Sequence, residues 1–128
     1  MTKLDYIGIT TADMGKALDF YRLLGLTFPD GAESEVHVEA TLEGGFRLGF
    51  DTVETTRHIE PDWTPPSGSP RVALAFRCTS PAEVDATCAD LLSAGHRGQH
   101  EPWDAIWGHR YATVLDPDGN RVDLYADL

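Results

Sequence analysis

Cysteine is nearly absent: Cys78 and Cys88 are the only two in 128 residues. One reads as lying near a strand end and the other inside a helix, so they form neither a metal knuckle nor a disulfide framework, and both read as small buried hydrophobes. Basic residues are also few, ten Lys and Arg against 21 Asp and Glu, which gives a net charge of −11. That balance repels phosphate backbones and excludes nucleic acid as a partner, while attraction of a cationic small molecule stays open. No apolar run is long enough to span a membrane, and Met1-Thr2-Lys3-Leu4-Asp5 lacks the apolar core of a signal peptide, so a cytoplasmic location is expected.

Familiar catalytic signatures are missing too. There is no Gly-x-Ser-x-Gly elbow, no glycine-rich phosphate loop and no His-x-x-x-His on a helix. His37, His58, His96, His100 and His109 are scattered without companion donors, which favours surface or hydrogen-bonding roles over metal ligation. His37 and His109 are the two whose strand positions suit a site. Proximity in sequence leaves His109 with Asp104 or Glu101 as the one acid/base pairing to consider.

What is present is a repeat. Strand-like Tyr6-Ile7-Gly8-Ile9 lies opposite Arg71-Val72-Ala73-Leu74, each followed by a polar residue and a helix. Thr11 and Ser80 are the expected N-caps, whose side-chain oxygens accept from first-turn N–H groups, and Pro81 suits a first helical position that needs no donor. Met14, Ala17, Leu18, Tyr21 and Leu24 recur at helical spacing, as do Val84, Cys88, Leu91 and Leu92. Gly25 and Gly95 supply the residue that tolerates a left-handed helix end. Three short strands are expected after each helix, over 26–28, 35–42 and 46–50 in the first copy and 97–102, 109–115 and 121–125 in the second. Phe46 to Phe50 matches Asn120 to Leu124. The fold class is therefore α+β, one domain over 1–128 made of βαβββ modules 1–50 and 70–128. The linker 51–69 is rich in turn and breaker residues and carries His58 and Trp63, which could cover a cleft.

Aromatic surface is concentrated in 100–111, where Trp103, Trp107 and Tyr111 stand with His109. The Trp103–Trp107 spacing does not fit a strand alternation. Such a segment can wall a pocket for a flat ligand, at about 0.5–1.5 kcal/mol per aromatic pair, or it can simply fill core. In 46–50, Arg47 and Gly49 share one strand face and Phe46, Leu48 and Phe50 the other. In Asp116-Pro117-Asp118-Gly119-Asn120, Pro117 presets φ and Gly119 takes the positive φ that closes a hairpin.

Two stretches carry a resemblance: Leu4 to Ile9 with Asp13 and Phe20-Tyr21-Arg22-Leu23-Leu24-Gly25-Leu26, and Tyr111 to Leu124 around the Asp-Pro-Asp-Gly-Asn turn. In this order they resemble the vicinal oxygen chelate superfamily, which includes glyoxalase, extradiol dioxygenases, fosfomycin-inactivating transferases and bleomycin resistance proteins. The resemblance implies two βαβββ modules forming curved mixed sheets around a cleft. It also places the metal-ligand positions of metal-dependent members at Tyr6, Gly49, Arg71 and Asp123. Of these only Asp123 is a good ligand: glycine has no donor, the tyrosine hydroxyl must lose a proton of pKa about 10, and arginine brings a positive charge. No resident metal or cofactor is therefore expected. Arg71 is read either as an ion-pair partner of Asp123 or as a forked donor to a ligand carboxylate, carbonyl or phenolate. The resemblance also turns Arg47 and Gly49 toward the cleft, where a residue without a side chain leaves room for a bulky guest.

The function these readings support is metal-independent binding and sequestration of a hydrophobic or aromatic small molecule, in the manner of the drug-binding resistance proteins. The residues expected at the ligand are Tyr6, His37, Arg47, Gly49, Trp63, Arg71, Trp103, Trp107, His109, Tyr111 and Asp123. The alternatives are a glyoxalase- or dioxygenase-type metalloenzyme with displaced ligands such as His37, His109 and Asp123, or a metal-free tailoring enzyme using His109 or Tyr111 as acid/base. A homodimer is expected, as two-fold pairing is the commonest oligomer and the resistance proteins resemble it.

Overall fold

A computed structural model describes residues 1–128, which divide into two compact units, Met1–Ser67 and Gly68–Leu128. The first unit runs β1 (Tyr6–Thr11), α1 (Met14–Leu23), β2 (His37–Thr41), β3 (Arg47–Thr52) and α2 (Val53–Ile59). Its sheet has the order β1-β3-β2, with β1 parallel to β3 and β2 antiparallel to it. Val38, Ala40, Leu48 and Phe50 are buried, as are Met14, Leu18 and Tyr21 of α1, and the Tyr21 and Phe50 rings meet at 5.1 Å. The apolar side of the sheet thus packs against α1 and the polar side, in the other phase of the strand alternation, carries Arg47, Gly49 and Asp51.

The second unit runs β4 (Ala73–Arg77), α3 (Pro81–Ser93), β5 (Arg97–Ala105), β6 (His109–Leu115) and β7 (Arg121–Asp127), with sheet order β4-β7-β6-β5. Val84, Cys88 and Leu91 of α3 are buried with Ala112, Val114, Val122, Leu124 and Ala126. The α+β class is as expected, and this unit has the full βαβββ order.

The first unit has one strand fewer. Residues 26–28 form no strand, and Phe28 instead sets its ring against Phe50 at 5.7 Å beneath the Arg22 guanidinium. Packing of one aromatic ring here replaces ladder pairing. Nor is 51–69 a plain connection: β3 continues through Thr52, whose hydroxyl caps α2 by accepting from Thr55 N at 3.3 Å. The seven residues of α2 are too few to show a helical period in the sequence.

Helix boundaries follow local chemistry. The cap of α1 is Asp13, which accepts from Lys16 N at 3.1 Å, and not Thr11, because Thr11 still pairs with Thr52 in the ladder. Ser80 caps α3 as expected, accepting from Glu83 N at 3.2 Å, and the Glu83 carboxylate reaches back to Thr79 N at 2.7 Å. Gly25 and Gly95 have φ of 95° and 92°. The next residue then bonds back into the last turn, Leu26 N to Tyr21 O and His96 N to Leu91 O, which closes both helices. No helix is long and apolar enough to cross a membrane.

Candidate functional site

Strand register equates the polar faces of the two sheets position by position. In the first unit Tyr6 lies opposite Arg47, and Gly8 and Glu39 flank Gly49. In the second, Ala73 lies opposite Arg121, and Ala75 and Thr113 flank Asp123. The counterpart of Tyr6 is therefore Ala73 and not Arg71, two residues off the sequence alignment of the copies. Arg71 precedes β4 and is exposed. The expected Arg71–Asp123 pair does not form, and Arg121 takes its place.

Asp123 is 3% exposed, and all its acceptor capacity is used. Its Oδ1 accepts from Thr113 Oγ1 and from Arg121 Nε, each at 2.9 Å, while Oδ2 accepts from the Tyr111 hydroxyl at 2.5 Å and from Arg121 Nη2 at 3.1 Å. Burial pushes this carboxyl up, but the bonds from Arg121, Tyr111 and Thr113, with the Arg121 charge, outweigh it and hold the group below the ordinary carboxylate range. Burial and then the Asp123 carboxylate push the Tyr111 phenol up. Tyr111 thus keeps its proton, turned toward Asp123, and is poorly suited to act as a base.

The corresponding place in the first unit is filled differently. A Cβ added at Gly49 would collide with the Tyr6 ring and hydroxyl, and one at Gly8 would stand 2.9 Å from Tyr6 Cε1. The missing side chain makes room for Tyr6, not for a guest, which corrects the expectation of an open space there. Around Tyr6 lies a charged network. His37 Nδ1 is 2.5 Å from Asp51 Oδ1 and its Nε2 is 2.8 Å from Glu39 Oε2. Both partners are carboxylates that accept, an arrangement that favours the doubly protonated imidazolium. These same bonds, Asp51 first, push its pKa up. Arg47 donates to Glu39 at 3.1 Å and to Asp5 at 2.8 Å with its guanidinium over the Tyr6 ring. Burial, then the Asp51 and Glu39 charges, push the Tyr6 phenol up.

These donors do not suit a divalent metal. Asp123 has no lone pair to spare, its neighbours Ala75 and Thr113 bring no carboxylate or imidazole, and Gly49 brings nothing. The displaced-ligand set fares no better: His37 is clamped by two carboxylates, and His109 sets Nε2 3.3 Å from Asp127 and its ring 4.9 Å from Tyr125. No group of three His, Cys, Asp or Glu side chains is arranged to hold an ion. Pairing of His109 with Asp104 is also overturned, since Asp104 accepts from Arg110 at 3.1 Å.

Aromatic residues, by contrast, come together in the second unit. Register places Arg77, Tyr125, Tyr111 and Trp103 in one row across β4, β7, β6 and β5. Trp107, in the turn between β5 and β6, sets its ring edge-on to both Trp103 at 5.4 Å and Tyr111 at 5.5 Å. His100 extends the row beyond Trp103 at 5.1 Å, and Arg77 lies over Tyr125 at 5.4 Å at the other end. Trp107 remains 55% exposed and the neighbouring Ile106 97%. Trp63 belongs to the other unit, in the segment after α2, where its carbonyl accepts from Arg57 Nε at 3.1 Å.

Several residues of these faces escape a reading of the sequence, namely Arg121, Thr113, Glu39, Asp51, Arg77 and Tyr125. Period-two alternation along 121–127 puts Arg121, Asp123, Tyr125 and Asp127 on one face and was the available signal.

The sequence profile of the Glyoxalase/Bleomycin resistance protein/Dioxygenase superfamily matches residues 3–124. Among solved structures the chain is similar to a glyoxalase/bleomycin resistance protein/dioxygenase family enzyme from Burkholderia phytofirmans PsJN, at 22% identity, TM-score 0.84, 99% of this chain and 100% of that one. It is also similar to a glyoxalase-related enzyme from Fulvimarina pelagi, at 19% identity, TM-score 0.81, covering 99% and 89%. A third similar structure is protein ATC0852 from Agrobacterium tumefaciens, at 26% identity, TM-score 0.75, covering 100% and 99%. No curated protein matches the chain.

Proposed function

The chain belongs to the Glyoxalase/Bleomycin resistance protein/Dioxygenase superfamily, and from that footing we propose that it binds and sequesters an aromatic small molecule without a metal. The observation that carries this reading is the ring row of the second unit, with Trp107 edge-on between Trp103 and Tyr111 and still half-exposed. Rings held in mutual contact are already ordered, so a flat ligand can gain contact area at little entropic cost. Beside the row, Asp123 keeps all four acceptor positions occupied by protein donors, which supports binding without metal. The protein acts as a homodimer in this reading. Its two free thiols, Cys78 and Cys88, suit the reducing cytoplasm.

The test is tryptophan-fluorescence titration with planar aromatic antibiotics in a chelating buffer, followed by denaturation and mass analysis of the released compound. Saturable quenching with unchanged mass supports capture. A modified compound would make the protein an enzyme, and quenching that requires added metal would overturn metal independence.

A further inference from the structure

The duplicated frame offers an internal comparison at one position. Arg47 and Arg121 occupy equivalent places on β3 and β7, but their surroundings differ. Opposite Arg47 stands Tyr6, whose ring lies under the guanidinium at 5.2 Å. Its two terminal nitrogens are both spent on carboxylates, Nη1 on Glu39 and Nη2 on Asp5. That arginine, 37% exposed, already serves two carboxylates.

Arg121 is held from one side only. Nε and Nη2 grip the two oxygens of buried Asp123, a two-point contact that fixes the guanidinium plane. Its cross-strand neighbours are Ala73, where the first unit has tyrosine, and Leu115, neither with a polar side chain. No second carboxylate reaches it, its side chain is 44% exposed, and the Tyr111 hydroxyl lies beside it. The Tyr111 hydroxyl is a further hydrogen-bond partner of the guanidinium, and no other side chain takes its outer N–H groups. Outer donors left so beside an aromatic row suit one kind of guest: a flat ring carrying a planar oxyanion.

We propose that Arg121 is the polar anchor of the ligand site and that the ligand is an aromatic carboxylate, its carboxylate on the outer guanidinium edge and its ring on the Tyr111–Trp107 side. This rests on the reading of the ring row as a ligand surface. It runs against the sign of the protein's net charge, so recognition is local: an anchored fork of donors selects the anion at contact, while the overall field slows its approach.

The experiment is an NMR titration with naphthoate and, separately, with naphthylmethylammonium, following the indole N–H of Trp107 and the Nε–H of Arg121. Wild type is expected to bind naphthoate at least about tenfold more tightly, the order of one charge-assisted hydrogen-bonded contact, with both signals moving together. Arg121→Lys keeps a cation for Asp123 but loses the fork, and is expected to abolish the preference while the indole shift with either probe persists. Arg110→Lys, in the opposite phase of β6 from Tyr111 and paired with Asp85 of α3 at 3.0 Å, is expected to leave the preference intact. Equal binding of both probes, or a preference for the ammonium, with the Trp107 signal still moving would overturn the anchor and leave the ring surface standing. No shift of Trp107 with either probe would remove the ring surface and the anchor with it.

Discussion

The Tyr6 side chain occupies the volume that any side chain at Gly49 would need. One residue thus explains the other: the glycine is required by the tyrosine ring folded over it, which in turn supports the Arg47 guanidinium.

Gly49→Ala is accordingly expected to destabilise the protein by about 1–3 kcal/mol, the range for overpacking a filled site. Combining it with Tyr6→Ala is expected to cost less than the sum of the two single changes. Urea denaturation of the four proteins gives the coupling, and simple additivity would show that the two residues do not share the space.

Asp123→Asn removes a charge that Arg121, Tyr111 and Thr113 all address. The expected loss is about 1–3 kcal/mol, because hydrogen bonds to a buried carboxylate become weaker neutral ones while half-exposed Arg121 stays solvated. The carboxyl's pKa is lowered in the fold, so its contribution is present above the unfolded value of about 3.9 and is lost as pH falls through the folded pKa. Acid unfolding of the variant is expected to be shallower than that of the wild type. Parallel curves would assign the acid sensitivity to other groups.

His37 titrates with the opposite sign. Its pKa is raised by Asp51 and Glu39, so the stability it adds is fully present below the unfolded value of about 6.5 and disappears as pH rises through the folded pKa. Wild type minus His37→Asn stability is expected to shrink from mildly acidic to alkaline pH, and the ring nitrogens are expected to show imidazolium shifts at neutral pH. A neutral tautomer at pH 7 would contradict the two-carboxylate clamp.

Trp107→Ala separates binding from folding. A ring that is 55% exposed loses little burial when removed, so the stability change is expected to be about 1 kcal/mol, the lower value for its two edge-on aromatic pairs. Affinity for planar aromatic compounds is expected to fall by about 2 kcal/mol, the scale of an interface anchor. Comparable losses in both measurements would make Trp107 a packing residue instead.

What the sequence disclosed is uneven, for physical reasons. Helical periodicity, Ser80, Pro81 and the two terminal glycines located α1 and α3, because these signals lie within one or two turns. Turn chemistry located the last hairpin, though Asp116 went unnoticed there: it is 1% exposed and accepts from the backbones of Asp118 and Asn120, each at 2.9 Å. Register was not legible, since a strand pattern repeats every two residues and fits shifted alignments equally well. That ambiguity put Arg71 where Ala73 stands and hid Arg121. The Trp103–Trp107 contact escaped alternation because β5 ends at Ala105 and Trp107 lies in the turn beyond it, where strand alternation no longer sets side-chain direction.

The most direct test of a metal-free ligand site is elemental analysis per chain after incubation with nickel, zinc, manganese and ferrous iron and subsequent desalting. A saturated Asp123 flanked by Ala75 and Thr113 predicts clearly substoichiometric metal in every case. One tightly held ion per chain would contradict the account and return the protein to the metal-dependent branch of its superfamily.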